Sequence, residues 1–153
     1  MEILNIDPTE IRIFLYVVLS MLLGAIVGLE RELADKPAGI RTNMLVAGAS
    51  TLLVSLGDIM ITRFDIAHSA IRSDPIRIIE AVVTGISFIG AGMIIRRGSD
   101  KVEGLTSAAA ILFVASIGIC VAISQLFLAI ATTIIAFLTL RILGNFLDAY
   151  KKK

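Results

Sequence analysis

Residues 104–140 read GLTSAAAILFVASIGICVAISQLFLAIATTIIAFLTL, and between Glu103 and Arg141 they hold neither a charged residue nor a proline. As one helix these 37 residues would be about 55 Å long, against a bilayer hydrocarbon core of about 30 Å that needs about 20 helical residues. The stretch is too long to cross once. Folded as a hairpin it crosses twice, with one helix from about Leu105 to Ile123, a tight turn in which Ser124 can act as a cap, and a second helix from about Gln125 to Leu143.

Three more apolar segments lie upstream, from about Thr9 to Glu30, from about Thr42 to Ile61, and from about Pro75 to Ile95, the last opening with a first-turn proline after Asp74. The composition agrees, at 57% hydrophobic residues, 18% charged residues and a mean hydropathy of +0.92, which excludes an ordinary soluble domain. The expected fold is all-α, a polytopic membrane bundle of about five transmembrane helices forming a single domain over residues 1–153. The opening MEILNIDPTE is acidic, and the apolar run after it is too long for a signal core, so the first helix is expected to persist in the mature protein. With the N-terminus outside, the inner loops hold ten of the 14 Lys and Arg residues and the outer ones four, which predicts an N-out, C-in topology.

That orientation places GLERELADKPAGIRTN, Gly28 to Asn43, at the cytoplasmic surface. Its six charges sum to zero between two apolar runs. Glu30 near the end of one helix and Arg41 near the start of the next each oppose the local helix dipole, so the sequence predicts that they pair across the turn. Pro37 and Gly39 can shape that turn, and Thr42 or Asn43 can cap the second helix. Glu30, Arg31, Arg41, Thr42, Asn43 and Arg96 thus form a candidate charge clamp or docking site.

GLERE followed by KPAGIRTNMLV, then FIGAGMIIRRG, then VEGLTSAAAILFVASIGI, resembles the MgtC/SapB family of bacterial and archaeal inner-membrane proteins. The resemblance spans about Gly24 to Gly118. It implies a five-helix inner-membrane domain, a link to magnesium limitation, acid tolerance and virulence, and regulation of other membrane machines such as the ATP synthase. The motifs carry over to Gly28, Glu30, Arg31, Gly39, Arg41 and Thr42, to Gly90, Gly92 and Arg96, and to Gly104, Leu105 and Thr106. Family members of the longer kind have a soluble C-terminal domain, whereas this sequence ends at YKKK soon after its fifth apolar segment.

Small residues recur at helical spacing, with Gly24 and Gly28 in the first helix, and Gly85, Gly90 and Gly92 in the third. They are expected to form packing seams, inside the bundle or between copies, a two-fold dimer being the simplest assembly. Polar residues also recur at i, i+4, i+7 and i+11: Thr51, Ser55, Asp58 and Thr62 in the second helix, and Glu80, Thr84, Ser87 and Ala91 in the third. Asp58 and Glu80 fall at similar depth and, with Ser55 and Thr84, form a candidate cation site of a kind that suits Mg²⁺. The simpler reading pairs Glu80 with Arg77 and leaves Asp58 in water.

The lone His68 lacks a partner for a metal, and the single Cys120 excludes an intrachain disulfide. Neither a catalytic set, a cofactor fingerprint nor a basic face for nucleic acid is present, so no cofactor and no enzyme activity are expected. The expected function is a non-enzymatic multi-pass inner-membrane protein influencing Mg²⁺ and acid-stress homeostasis through protein contacts. The alternative is an oligomeric cation transporter built on Asp58 and Glu80.

Overall fold

A computed structural model of the chain describes residues 7–67, 74–97 and 101–151. Its helices are α1 (Pro8–Leu33), α2 (Ile40–Ala67), α3 (Pro75–Met93), α4 (Leu105–Ala122) and α5 (Leu126–Lys151). All five contain a segment long and apolar enough to cross a membrane. The chain is a multi-pass membrane helix bundle, and residues 104–140 do fold as a hairpin.

Local chemistry sets the helix boundaries. Asp7 and Asp74 each precede a proline, and each accepts a hydrogen bond from a backbone N–H two residues on, from Thr9 at 2.8 Å and from Ile76 at 3.0 Å. The proline lacks the N–H that a first-turn residue would leave unpaired, so the pair starts a helix without loss.

The C-termini of α1 and α4 share another device. Asp35 and Ser124 take left-handed backbone angles (φ 52° and 62°). Around them the N–H of Lys36 reaches the Arg31 carbonyl and that of Asp35 reaches Glu32, while Gln125 reaches Cys120 and Ser124 reaches Val121. These paired bonds close a helix end by satisfying its free carbonyls. Ser124 therefore terminates α4 and does not cap α5. In the first motif α1 runs on to Leu33, three residues past the expected end, and carries Glu30 and Arg31 into the helix.

Between α3 and α4 the expected loop is a short antiparallel hairpin of β1 (Ile95–Arg97) and β2 (Lys101–Glu103), with Arg96 opposite Val102. Gly104 closes it at φ 91°, where an added Cβ would overlap the Met93 carbonyl oxygen. Only glycine fits both constraints. His68 lies outside the described residues.

α4 is the centre of the bundle and touches all four other helices. Ile111, Val114, Ala115, Ile117, Gly118 and Val121 are buried on it, so burial surrounds the helix instead of following one stripe. α1 and α2 pack along one another and on α4, while α3 and α5 flank this trio. Three glycines make close approaches to the backbone of α2: Gly24 and Gly28 of α1 seat its first turns, and Gly118 of α4 meets the Ala47 carbonyl. Lipid tails provide no water-driven force between helices, so such backbone proximity carries the packing. Gly24 and Gly28 are consumed inside one chain and are not available as a seam between copies.

Candidate functional site

The α1–α2 turn collects the charged motif, but its pairing differs from the expected one. Glu30 and Arg31 are both buried, at 3% and 5% exposure, and pair with each other: Arg31 Nε donates to Glu30 Oε2 at 2.7 Å and Nη2 lies 2.6 Å from the same oxygen. Arg41 is exposed, on the first turn of α2. The expected Glu30–Arg41 clamp is thus replaced by a pairing of neighbours, because the extension of α1 carries Glu30 inward while Arg41 remains on the outer face.

The contact that does cross the turn belongs to Glu32, which the sequence reading passed over. Its Oε2 accepts the Ile40 N–H at 2.9 Å and lies where a Cβ on Gly39 would stand. A carboxylate is favourable at a helix N-terminus, so α2 is capped by the last turn of α1. Thr42 is half-buried, and Asn43 is fully buried with its Nδ2 donating to the Ala38 and Gly39 carbonyls at 2.6 and 2.9 Å. Asn43 therefore holds the turn closed instead of capping the helix. Its Oδ1 is buried with no hydrogen-bond partner.

At the opposite end of the bundle the two polar stripes part company. On α2, Thr51 and Ser55 are buried, and Thr51 Oγ1 donates to the Gly118 carbonyl at 2.8 Å as well as to Ala47 at 3.1 Å. On α3, Glu80, Thr84, Ser87 and Ala91 are all exposed, because the line that α3 buries is Val82, Ile86 and Gly90. Gly85 and Gly92 face open space, while Gly90 lies in ordinary contact with Ala108 of α4.

Asp58 lines a cavity of about 360 Å³ with Thr9, Arg12, Tyr16, Ser55 and Ser124. Asp58 is itself exposed at this cavity, as the simpler reading expected, and Glu80 and Thr84 are not on its wall, so the four residues of the candidate cation site are divided between the cavity and the outer face of α3. Among the described residues no cluster of three or more His, Cys, Asp or Glu side chains could hold a metal. Arg12 and Tyr16 were missed as site residues; Arg12 registered only as a charge for topology, and nothing in its neighbourhood marked the cavity.

The sequence profile of the MgtC family matches residues 17–148. The chain is 41% identical over 117 residues to the protein MgtC of Salmonella typhimurium, covering 76% of this chain and 46% of that protein. It is 36% identical over 114 residues to the protein SapB of Bacillus subtilis, covering 74% and 47%. Against an uncharacterized protein of Haemophilus influenzae it is 35% identical over 136 residues, covering 89% and 57%. The chain spans about half the length of these curated relatives. No solved structure matches it.

Proposed function

This chain belongs to the MgtC family, and on that premise we propose that it is a non-enzymatic inner-membrane protein that influences Mg²⁺ and acid-stress homeostasis by contacting other membrane proteins. The observation that carries the proposal is the outward stripe of α3, where Glu80, Thr84 and Ser87 all face away from the chain's own bundle. Polar side chains on a spanning helix avoid lipid, and a protein neighbour relieves them. Such a neighbour is a second copy of the chain or a larger membrane machine, the ATP synthase being the one the family resemblance suggests. The turn bearing Glu30 and Arg31 faces the cytoplasm in this reading, as the Lys and Arg distribution favours.

Photo-crosslinkers placed at Ser87 and, as a control, at Leu138 of α5, which is also exposed, test the reading in native membranes. Adducts of defined mass from Ser87 and none from Leu138 are expected; no adduct from Ser87 removes the contact face. The cation-transport alternative requires Glu80 to line a path between copies. Purified protein in liposomes is expected to pass neither Mg²⁺ nor H⁺, and a flux lost in an Asp58→Asn, Glu80→Gln double variant would establish transport instead.

A further inference from the structure

We propose that the Arg12–Asp58 cavity and the groove beside it form one binding site for an aminophospholipid, with the phosphate at Arg12, the ammonium at Asp58 and an acyl chain between α2 and α3.

The cavity is walled by the first turns of α1 and α3, the outer half of α2 and the α4–α5 turn. Thr9 and Pro75 on its wall are the second residue of α1 and the first of α3, so the cavity lies at the ends of the spans, the depth of lipid head groups. Arg12 and Asp58 both face it, and no salt bridge joins them. The Ser55 hydroxyl on the same wall is buried without a hydrogen-bond partner, a polar group of the kind that native structures normally satisfy.

The charge set selects the ligand. A divalent cation needs several oxygen ligands, but the cavity offers one carboxylate, and its guanidinium would repel the ion. A simple anion would meet Asp58. A group carrying both signs satisfies both residues. An apolar groove of about 750 Å³ adjoins the cavity, with Ile61 and Ile78 on the walls of both. The groove follows α2 from Ile61 to Ala49, about 18 Å of helix, with Leu53, Ala81, Ile86 and Ile89 on its walls and space over Gly85; its one charged lining residue, Asp74, already accepts the Ile76 N–H as the cap of α3. A soluble zwitterion has no use for that groove, whereas a lipid fills both compartments. A primary ammonium donates hydrogen bonds to a carboxylate, and a quaternary choline cannot.

The full chain, reconstituted with equal phosphatidylethanolamine, phosphatidylcholine and phosphatidylglycerol, is released into mild detergent and its retained lipid counted by native mass spectrometry. Phosphatidylethanolamine is expected to be retained about tenfold over phosphatidylcholine. Asp58→Asn and Asp58→Ser should both erase that preference, Arg12→Gln should lower retention of every phospholipid, and Gly85→Leu should lower it by blocking the groove. Melting curves of each variant exclude misfolding, and Ser55→Ala, which keeps both charges, should retain the preference in weakened form. Equal retention of the three lipids overturns the proposal, as does preference for phosphatidylglycerol. If soluble O-phosphoethanolamine displaces lipid as well as the whole phospholipid does, the ligand is a free zwitterion and the lipid assignment is wrong.

Discussion

The polar stripes of α2 and α3 have the same spacing and different fates, except at the far end of the α2 stripe, where Asp58 and Thr62 are exposed as the α3 residues are. Thr51 and Ser55 are enclosed, whereas Glu80, Thr84 and Ser87 stand outside. Spacing determines which side chains share a face, and the neighbours of the helix determine where that face looks. α2 lies against both α1 and α4, so the face that carries Thr51 and Ser55 looks inward. α3 touches the bundle along one line, and Val82, Ile86 and Gly90 occupy it. The chemistry fits this division at Thr51: a hydroxyl can bond a carbonyl one turn back on its own helix, as Ser50 and Thr51 do at 2.8 and 3.1 Å, and so tolerates burial, whereas the Ser55 hydroxyl is buried without a partner. An unpaired carboxylate has no such recourse.

The contrast is broken most sharply at two glycines. Gly118→Val places side-chain atoms on the Ala47 carbonyl of α2, so the α2–α4 contact must open, and we predict loss of nearly all folded protein. Gly85→Val enters open space, and its melting temperature in detergent should match the parent. A stable Gly118→Val variant would mean that α2 and α4 do not meet so closely.

The charged residues give the next largest difference. Removing one partner of the buried Glu30–Arg31 pair leaves the other uncompensated, at a cost of about 3 kcal/mol. Arg41→Gln, on an exposed side chain, should change stability by less than about 0.5 kcal/mol. In double-mutant cycles read by unfolding in mixed micelles, Glu30 and Arg31 should couple, and Glu30 and Arg41 should add. Coupling between Glu30 and Arg41 would restore the cross-turn clamp. A smaller effect belongs to the stripes themselves: Thr51→Val removes the bond to Gly118 and should cost about 0.6 kcal/mol, while Thr84→Val on the outer face should cost nothing measurable.

Much of the fold was legible because the bilayer imposes a length. An uncharged run of 37 residues has to turn back, and Asp-Pro before an apolar run announces a helix, as at Pro75. The missed features depend on backbone closure. Asp35 and Ser124 take the left-handed position where glycine is usual; the length of the run still places the turn at Ser124, but not the end of α1 at Asp35, so that Glu30 reads as a helix-terminal charge when it lies inside the helix. The cavity was half legible. Asp58 and Ser55 share a face of α2 by spacing alone, but Arg12, Tyr16 and Ser124 reach them only through tertiary packing, which no local pattern encodes.

The smallest expected effect concerns the N-terminus of α1, where the central trio and the flanking α3 begin with the same device. The backbone N–H of Thr9, with its hydroxyl, holds the Asp7 carboxyl below the ordinary aspartate value, because both hydrogen bonds favour the ionised form. The sign follows from that direction. The ionised cap contributes its full stabilisation above the pKa of the unfolded chain and loses it as pH falls through the lower folded value. Asp7 is fully exposed, so the change should appear as local fraying of the first turn and leave global unfolding untouched. Carbon-13 spectra of the Asp7 carboxyl should titrate below a peptide reference, with the Thr9 amide moving at the same midpoint. In Asp7→Asn the Thr9 amide should no longer follow that titration. Because Thr9 and Arg12 also line the cavity, fraying would loosen one of its walls, whereas Asp74→Asn would test the same cap on the α3 side. A Thr9 amide indifferent to pH in the parent would mean that the Asp7 cap does not form in the membrane.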